Sequence, residues 1–223
     1  FGSLFRVTTF GESHGDFVGA VIEGVPAGCR ISLSGIQREL DRRRPGRGRT
    51  VSQRREPDVL EVVSGISRGR TTGGPIRLRV RNRDARPSDY DEILHKPRPG
   101  HADLAGLLKY GLSDVREVLE RASARSTAAT VSIGAICKIL LYEFKIKITS
   151  RVLSIGAESS SWGMREKITQ AIAAKDTVGG IFEVKIQGAP LGLGSYVQPD
   201  RRLDSRLAGE IMSIPGIKAV EIG

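Results

Sequence analysis

The chain has 223 residues, 39% hydrophobic and 27% charged, which is long enough for one large or two small domains and ordinary for a globular protein. Two cysteines exclude a disulfide framework and fit a reducing, cytoplasmic setting; no apolar run approaches the length of a bilayer span, and the N-terminus has no signal-peptide layout. Thirty-five basic against 25 acidic residues leave a net charge of +10, which favours an anionic partner: nucleic acid, or a small phosphate or carboxylate compound.

In chain order, Val7–Phe10 predicts a strand, and Val18–Val25, stopped by Pro26, predicts a second. Between them stands Gly11-Glu12-Ser13-His14-Gly15, formally a G-x-S-x-G pattern. A nucleophile elbow needs a strand leading in, a helix leading out and sheet on both sides. Here a strand follows, and little sheet can precede, so Ser13 is not read as a nucleophile. Why a turn between strands carries Glu, Ser and His together is the question that remains.

Ser34–Arg44 predicts a helix with Ser34 as N-cap and Pro45-Gly46 as its stop. Arg42, Arg43, Arg44, Arg47 and Arg49 crowd that Pro-Gly turn, with Arg54 and Arg55 close behind. Their forked donors match phosphate and carboxylate oxygens. A nucleic-acid patch is the rival reading, but no aromatic residue lies within the segment to stack a base.

Val59–Val63 and Ile76–Arg81 predict strands, the latter with apolar side chains on one face and arginines on the other. His101 follows Pro97-Arg98-Pro99-Gly100 in a turn rich in Gly and Arg, a setting that suits proton transfer, as does that of His14. His95 has no such context and reads as a structural or surface residue. From Asp114 to Leu141 there is no Pro and little Gly, which predicts one long helix or two joined ones. Within it Arg121 and Arg125 share a face, with Ser123, Ser126 and Thr127 nearby, and Cys137 falls in an apolar run that predicts a buried thiol. Gly163–Ala174 predicts a helix, Ile181–Ile186 a strand, Gly188–Ser195 a loop and Asp204–Ile211 a helix before Pro215-Gly216. Strand and helix blocks without regular βαβ alternation give an α+β class, and residues 1–223 read as a single domain. No Walker A pattern, G-x-G-x-x-G or metal-ligand spacing is present, so no metal site is expected.

Together the segments LFRVTTFGESHG with EGVPAG, DRRRPGRGR followed by QRREPD, SGISRGRTTGGPI, PRPGHADLAGLLKYG, DVREVLERASAR, DTVGG and GLGSYVQPDRRLDSRLAGEIMSIPGIKAVEIG carry a resemblance. In order and spacing the chain resembles the chorismate synthase family over nearly its whole length, and GESHG with RPGHAD is the most specific part. The resemblance implies a β-α-β sandwich, helices packed between antiparallel sheets, assembled as a homotetramer. It implies reduced FMN as cofactor and 1,4-elimination of phosphate from 5-enolpyruvylshikimate-3-phosphate, with the flavin not consumed. NADPH would serve as reductant, through a flavin reductase activity that some members carry and others borrow from a partner. Neither nucleic acid nor membrane is implied as a partner.

By resemblance, His14 is the proton donor near the substrate phosphate with Ser13 beside it, and His101 lies near the flavin ring. Arg43, Arg49, Arg98 and Arg125 resemble the substrate-anion ligands, Arg121-Ala122-Ser123 a flavin contact, and Pro215-Gly216 a further cofactor-contacting turn. Two departures bear on this. Ser126 stands where the family has Glu, which is expected to alter how Arg125 is oriented. Family chains also run beyond this C-terminus and supply further flavin contacts there, so the chain is expected to be truncated, to bind FMN poorly alone and to turn over slowly or not at all. An inactive truncated scaffold and a basic nucleic-acid-binding module are the competing readings.

Overall fold

A computed structural model describes residues 4–43, 56–86, 88 and 91–223. Apolar side chains at every second position make β2 (Phe17–Glu23) and β6 (Ile76–Arg81) half-buried strands, and β1 (Arg6–Gly11) buries Val7 beside them. In β6, Ile76, Leu78 and Val80 are buried and the alternate arginines face out. β1 pairs with β2, β2 with β6, and β6 with β3 (Leu60–Ser64), all antiparallel, in the order β1-β2-β6-β3. A small separate hairpin, β4 (Ile66–Ser67) with β5 (Arg70–Thr71), fills the connection from β3 to β6.

The inner face of this sheet is closed by two helices. In α1 (Leu33–Arg42), Ile36 and Leu40 are one turn apart and fully buried. Its cap is Ser32, whose Oγ accepts the Gly35 N–H at 3.0 Å, so Ser34, the expected cap, lies inside the first turn. The second helix is α4 (Thr127–Glu143), which lays Ala129, Ile133 and Ile136 against Val7, Ala20, Ile22 and Leu78. Each large aliphatic side chain buried here contributes about 1.5–3 kcal/mol.

The stretch from Asp114 to Leu141 resolves into two helices, α3 (Val115–Ala122) and α4. Ser123 takes an extended conformation between them, and its Oγ accepts the Arg125 N–H at 3.2 Å to start a single 3-10 turn over Ala124–Ser126. Taken together, Val115–Glu143 is long and apolar enough to cross a membrane by length and composition alone. The break at Ser123 and the burial of α4 against the sheet make it core instead. Before it comes α2 (Asp103–Tyr110), with Gly111 at its C-cap in the left-handed region. Gly106 lets α2 approach α3 closely, since a Cβ there would lie 2.5 Å from Val118 Cγ1.

Beyond α4 the chain forms β7 (Lys147–Ile155), α5 (Ser161–Ala173), β8 (Gly180–Gln187) and α6 (Leu203–Met212). β7 and β8 make an antiparallel two-stranded sheet, and α4 contacts β7 as well as the four-stranded sheet. A helical layer thus lies between antiparallel sheets, and the class is α+β. One face of the β7–β8 sheet carries Val152, Phe182, Val184 and Ile186, each still 40–53% exposed.

Candidate functional site

The Gly11–Gly15 segment forms the turn between β1 and β2, as its sequence predicts. Gly11 makes the turn possible: its φ is +91°, and a Cβ there would lie 2.2 Å from the Phe17 carbonyl oxygen. Asn82, just past β6, clamps the turn from beneath. Its Nδ2 lies 2.9, 3.1 and 2.6 Å from the carbonyl oxygens of Glu12, Ser13 and Gly15. Ser13 is 2% exposed and its Oγ donates to Ser123 Oγ at 2.9 Å. A buried hydroxyl bonded to another hydroxyl braces the turn against the α3–α4 junction.

His14 is gripped by α3. Glu120, 3% exposed, accepts the His14 backbone N–H on Oε2 at 2.6 Å, and its Oε1 lies 2.7 Å from His14 Nδ1. The His14 carbonyl accepts the Arg86 N–H at 2.8 Å. Backbone and ring are therefore both fixed, and the imidazole side chain stays 23% exposed.

Beneath the turn lies a buried charge network. Arg125 donates through Nε to Asn82 Oδ1 at 2.7 Å, through one terminal nitrogen to Asp58 Oδ1, and through the other to the Arg81 carbonyl at 3.2 Å. Arg43 donates to Asp58 Oδ2 and, at 3.1 Å, to Thr127 Oγ1. Asp58 is 1% exposed, with φ +48° in the left-handed region that aspartate tolerates. One carboxylate is thus shared by two guanidiniums, so this trio carries a formal charge of +1 (two minus one). Ser126 donates to the Ser123 carbonyl at 2.9 Å. Arg125 is oriented by Asp58 and Asn82.

The other sequence-predicted residues lie around this centre. Arg121 donates to the Gly11 carbonyl at 2.6 Å and, with Thr9, Phe10, Glu12, Gly15, Asp16 and Phe17, lines an open cleft of about 550 Å³. Ala122 ends α3 and Ser123 follows it. Arg98 is held in the loop before α2: Nε and a terminal nitrogen reach the two oxygens of buried Asp103 at 2.9 Å each, and its N–H reaches Oδ2 at 2.9 Å. Hydrogen bonding from Arg98 holds the Asp103 carboxyl down at about 2. His101 is exposed, and its Nδ1 donates to the Pro99 carbonyl at 3.0 Å. Among the described residues no hydrogen bond joins His101 or Arg98 to the His14 cluster. Pro215 and Gly216 are exposed beyond α6. Arg49 lies outside the described residues, as do Arg44, Arg47, Arg54 and Arg55. His95 is exposed, and Cys137 is half-buried, its thiol pushed up by burial.

Three residues central to the cluster escape sequence reasoning: Glu120, Asn82 and Asp58. Glu120 and Asp58 stand inside the quoted segments DVREVLERASAR and QRREPD, but nothing local marks their roles, because Glu120 acts on His14, and Asp58 and Asn82 on Arg125, across more than 40 positions of chain. Asp103 could have been found, since it closes the Arg98–Asp103 segment already singled out.

A family model described as chorismate synthase matches residues 5–223. The chain is 45% identical over 220 residues to a chorismate synthase of Caldanaerobacter subterraneus subsp. tengcongensis and 47% identical to that of Thermoanaerobacter pseudethanolicus. Both alignments cover 98% of this chain and 63% of the relative, so the chain spans about two thirds of their length or slightly less. A chorismate synthase from Methanosarcina mazei is 44% identical, with 100% of this chain and 67% of that protein covered. A solved structure described as "Crystal Structure of Chorismate Synthase" superposes with a TM-score of 0.81 at 38% identity, covering 99% of this chain and 68% of that one. With a matched family model, close relatives and a shared architecture all in agreement, the chain belongs to the chorismate synthase family.

Proposed function

We propose that this chain supplies the phosphate-leaving half of a chorismate synthase site, in which 5-enolpyruvylshikimate-3-phosphate loses phosphate by 1,4-elimination to give chorismate. The observation that carries this reading is the convergence of the β1–β2 turn, the α3–α4 junction, Arg43 and Asn82 into one hydrogen-bonded cluster. The substrate carries two carboxylates and a phosphate, and the leaving phosphate gains charge as its bond breaks. A protonated His14 held beside that oxygen would donate to it, and guanidiniums fixed in advance would stabilise the charge where it develops. Arg43 keeps part of its guanidinium accessible, at 23% side-chain exposure, and serves as the anion ligand. Arg125, at 3%, orients the turn from below. Arg49 and Arg98 complete the anion-binding set. Ser13 braces Ser123.

Reduced FMN, held by this chain's residues, would supply reversible electron donation to the substrate. The cleft beside Arg121 is within the size range of small-ligand sites, and its guanidinium suits a phosphate group. Arg121, Ala122 and Ser123 would hold the cofactor on this side, with Pro215 and Gly216 from the segment after α6. His101 would hold a proton near the flavin, its Nδ1 being engaged by Pro99. NADPH as reductant, a flavin reductase partner, a homotetramer and a cytoplasmic location belong to the same proposal.

Titration of the chain with 5-enolpyruvylshikimate-3-phosphate tests it. His14→Ala and Arg43→Ala are each expected to weaken binding about tenfold or more. Affinity untouched by both substitutions would sink the reading. Absorbance of oxidised FMN should change only when the phosphorylated substrate is also present. Chorismate formed by the 223 residues alone with reduced FMN would overturn the expectation that they are insufficient.

A further inference from the structure

His14 is fixed at three atoms. Its N–H goes to Glu120 Oε2, its carbonyl takes the Arg86 N–H, and its Nδ1 meets Glu120 Oε1. Glu120 is 3% exposed, and both its oxygens are engaged by this one residue. An ionised carboxylate has acceptors only, so Nδ1 facing it at 2.7 Å must carry a hydrogen. That holds for the neutral ring and for the imidazolium alike. Only Nε2 then remains to exchange a proton with anything outside the turn.

We infer that Glu120 is a positioning residue: it commits Nδ1 of His14 as a permanent donor and thereby makes Nε2 the nitrogen that delivers the proton to the leaving phosphate. The inference rests on the assignment of His14 to that phosphate. Its logic is that of any carboxylate–imidazole pair in which the acid sets the tautomer and the ring does the transfer. In the step itself, the Nε2–H bond breaks, its proton passes to the departing phosphate oxygen, and the electron pair stays on Nε2, leaving neutral Nδ1–H imidazole against the carboxylate. Asn82 supports this from below by holding the carbonyls on both sides of His14. Rotation of the ring would break the Nδ1 contact.

Glu120→Gln makes a specific forecast. The backbone N–H of His14 can only donate, so it claims the amide oxygen. The amide NH2 then faces Nδ1, which must become an acceptor, and the proton moves to Nε2. Ring ¹⁵N chemical shifts of His14, assigned with His14→Gln, read this directly. The expected result is an Nδ1–H neutral tautomer in the unmodified chain and in Glu120→Asp, and an Nε2–H tautomer in Glu120→Gln. Alongside it, the dissociation constant for 5-enolpyruvylshikimate-3-phosphate should rise about tenfold in Glu120→Gln, because a ring faced by an amide donor resists the charged form.

An Nε2–H tautomer in the unmodified chain, or an unmoved Nδ1 proton in Glu120→Gln, overturns the inference. A tautomer that flips while substrate affinity stays unchanged upholds the hold of Glu120 on His14 and sinks the placement of His14 at the phosphate. Should Glu120→Gln fail to fold, the unmodified chain and Glu120→Asp decide the matter through the same shifts.

Discussion

Asn82 does the most with one side chain. Its amide nitrogen holds three carbonyls of the His14 turn and its oxygen accepts from Arg125, so both ends of the amide are engaged inside the protein. Asn82→Asp is nearly isosteric and keeps the acceptor toward Arg125, but sets an oxygen against three carbonyl oxygens. Stability is expected to fall by roughly 1–3 kcal/mol in urea unfolding, with substrate affinity lost in parallel. Unchanged stability would show that the turn holds itself. Asp58 plays the complementary part in charge: without it, Arg125 would be a buried guanidinium with no counterion among the described residues.

Arg98 and Asp103 organise the element before α2. Because the folded Asp103 carboxyl sits at about 2 instead of its ordinary 3.8, its ionised form stabilises the fold. The contribution is fully present above the unfolded value and is lost as pH falls from 3.8 toward 2. Arg98 is 43% exposed, so solvent screening reduces the effect to about 1 kcal/mol. The stability difference between the unmodified chain and Asp103→Asn should therefore shrink on acidification through that window and be flat above it. A difference that grows on acidification would contradict the ion pair. The same loop holds His101 much as Glu120 of α3 holds His14: in each ring an oxygen takes Nδ1.

At the scale of the molecule, the exposed area is 15523 Å², against about 10,000 Å² for a compact monomer of this mass. On the C-terminal half the β7–β8 sheet shows an apolar face, and Leu191 and Tyr196 stand fully or nearly fully exposed. A two-stranded sheet with an open apolar face is marginal in water by itself. The chain is expected to self-associate through this face, with a sedimentation mass that is a multiple of 24.1 kDa. Phe182→Asp should lower that mass. A monodisperse monomer indifferent to Phe182→Asp would count against it.

Local pattern alone determined a good deal. Alternation in Ile76–Arg81 and the Gly-bounded turn at Gly11–Gly15 could be read directly, because strand faces and turns are decided by neighbours in sequence. The family was legible in the same segments. Other elements were not: β7 escaped because its alternation is weak and mostly polar, and α2 because Gly106 interrupts an otherwise apolar run. Only the tertiary structure decided which carboxylates face which cations. Charge counting made the arginines a free anion-binding excess, yet Arg43 and Arg125 share Asp58, Arg98 is paired with Asp103, and His14 is governed by a glutamate 106 residues away. A charge reads its partners through space, and chain separation places no bound on which partner the fold delivers.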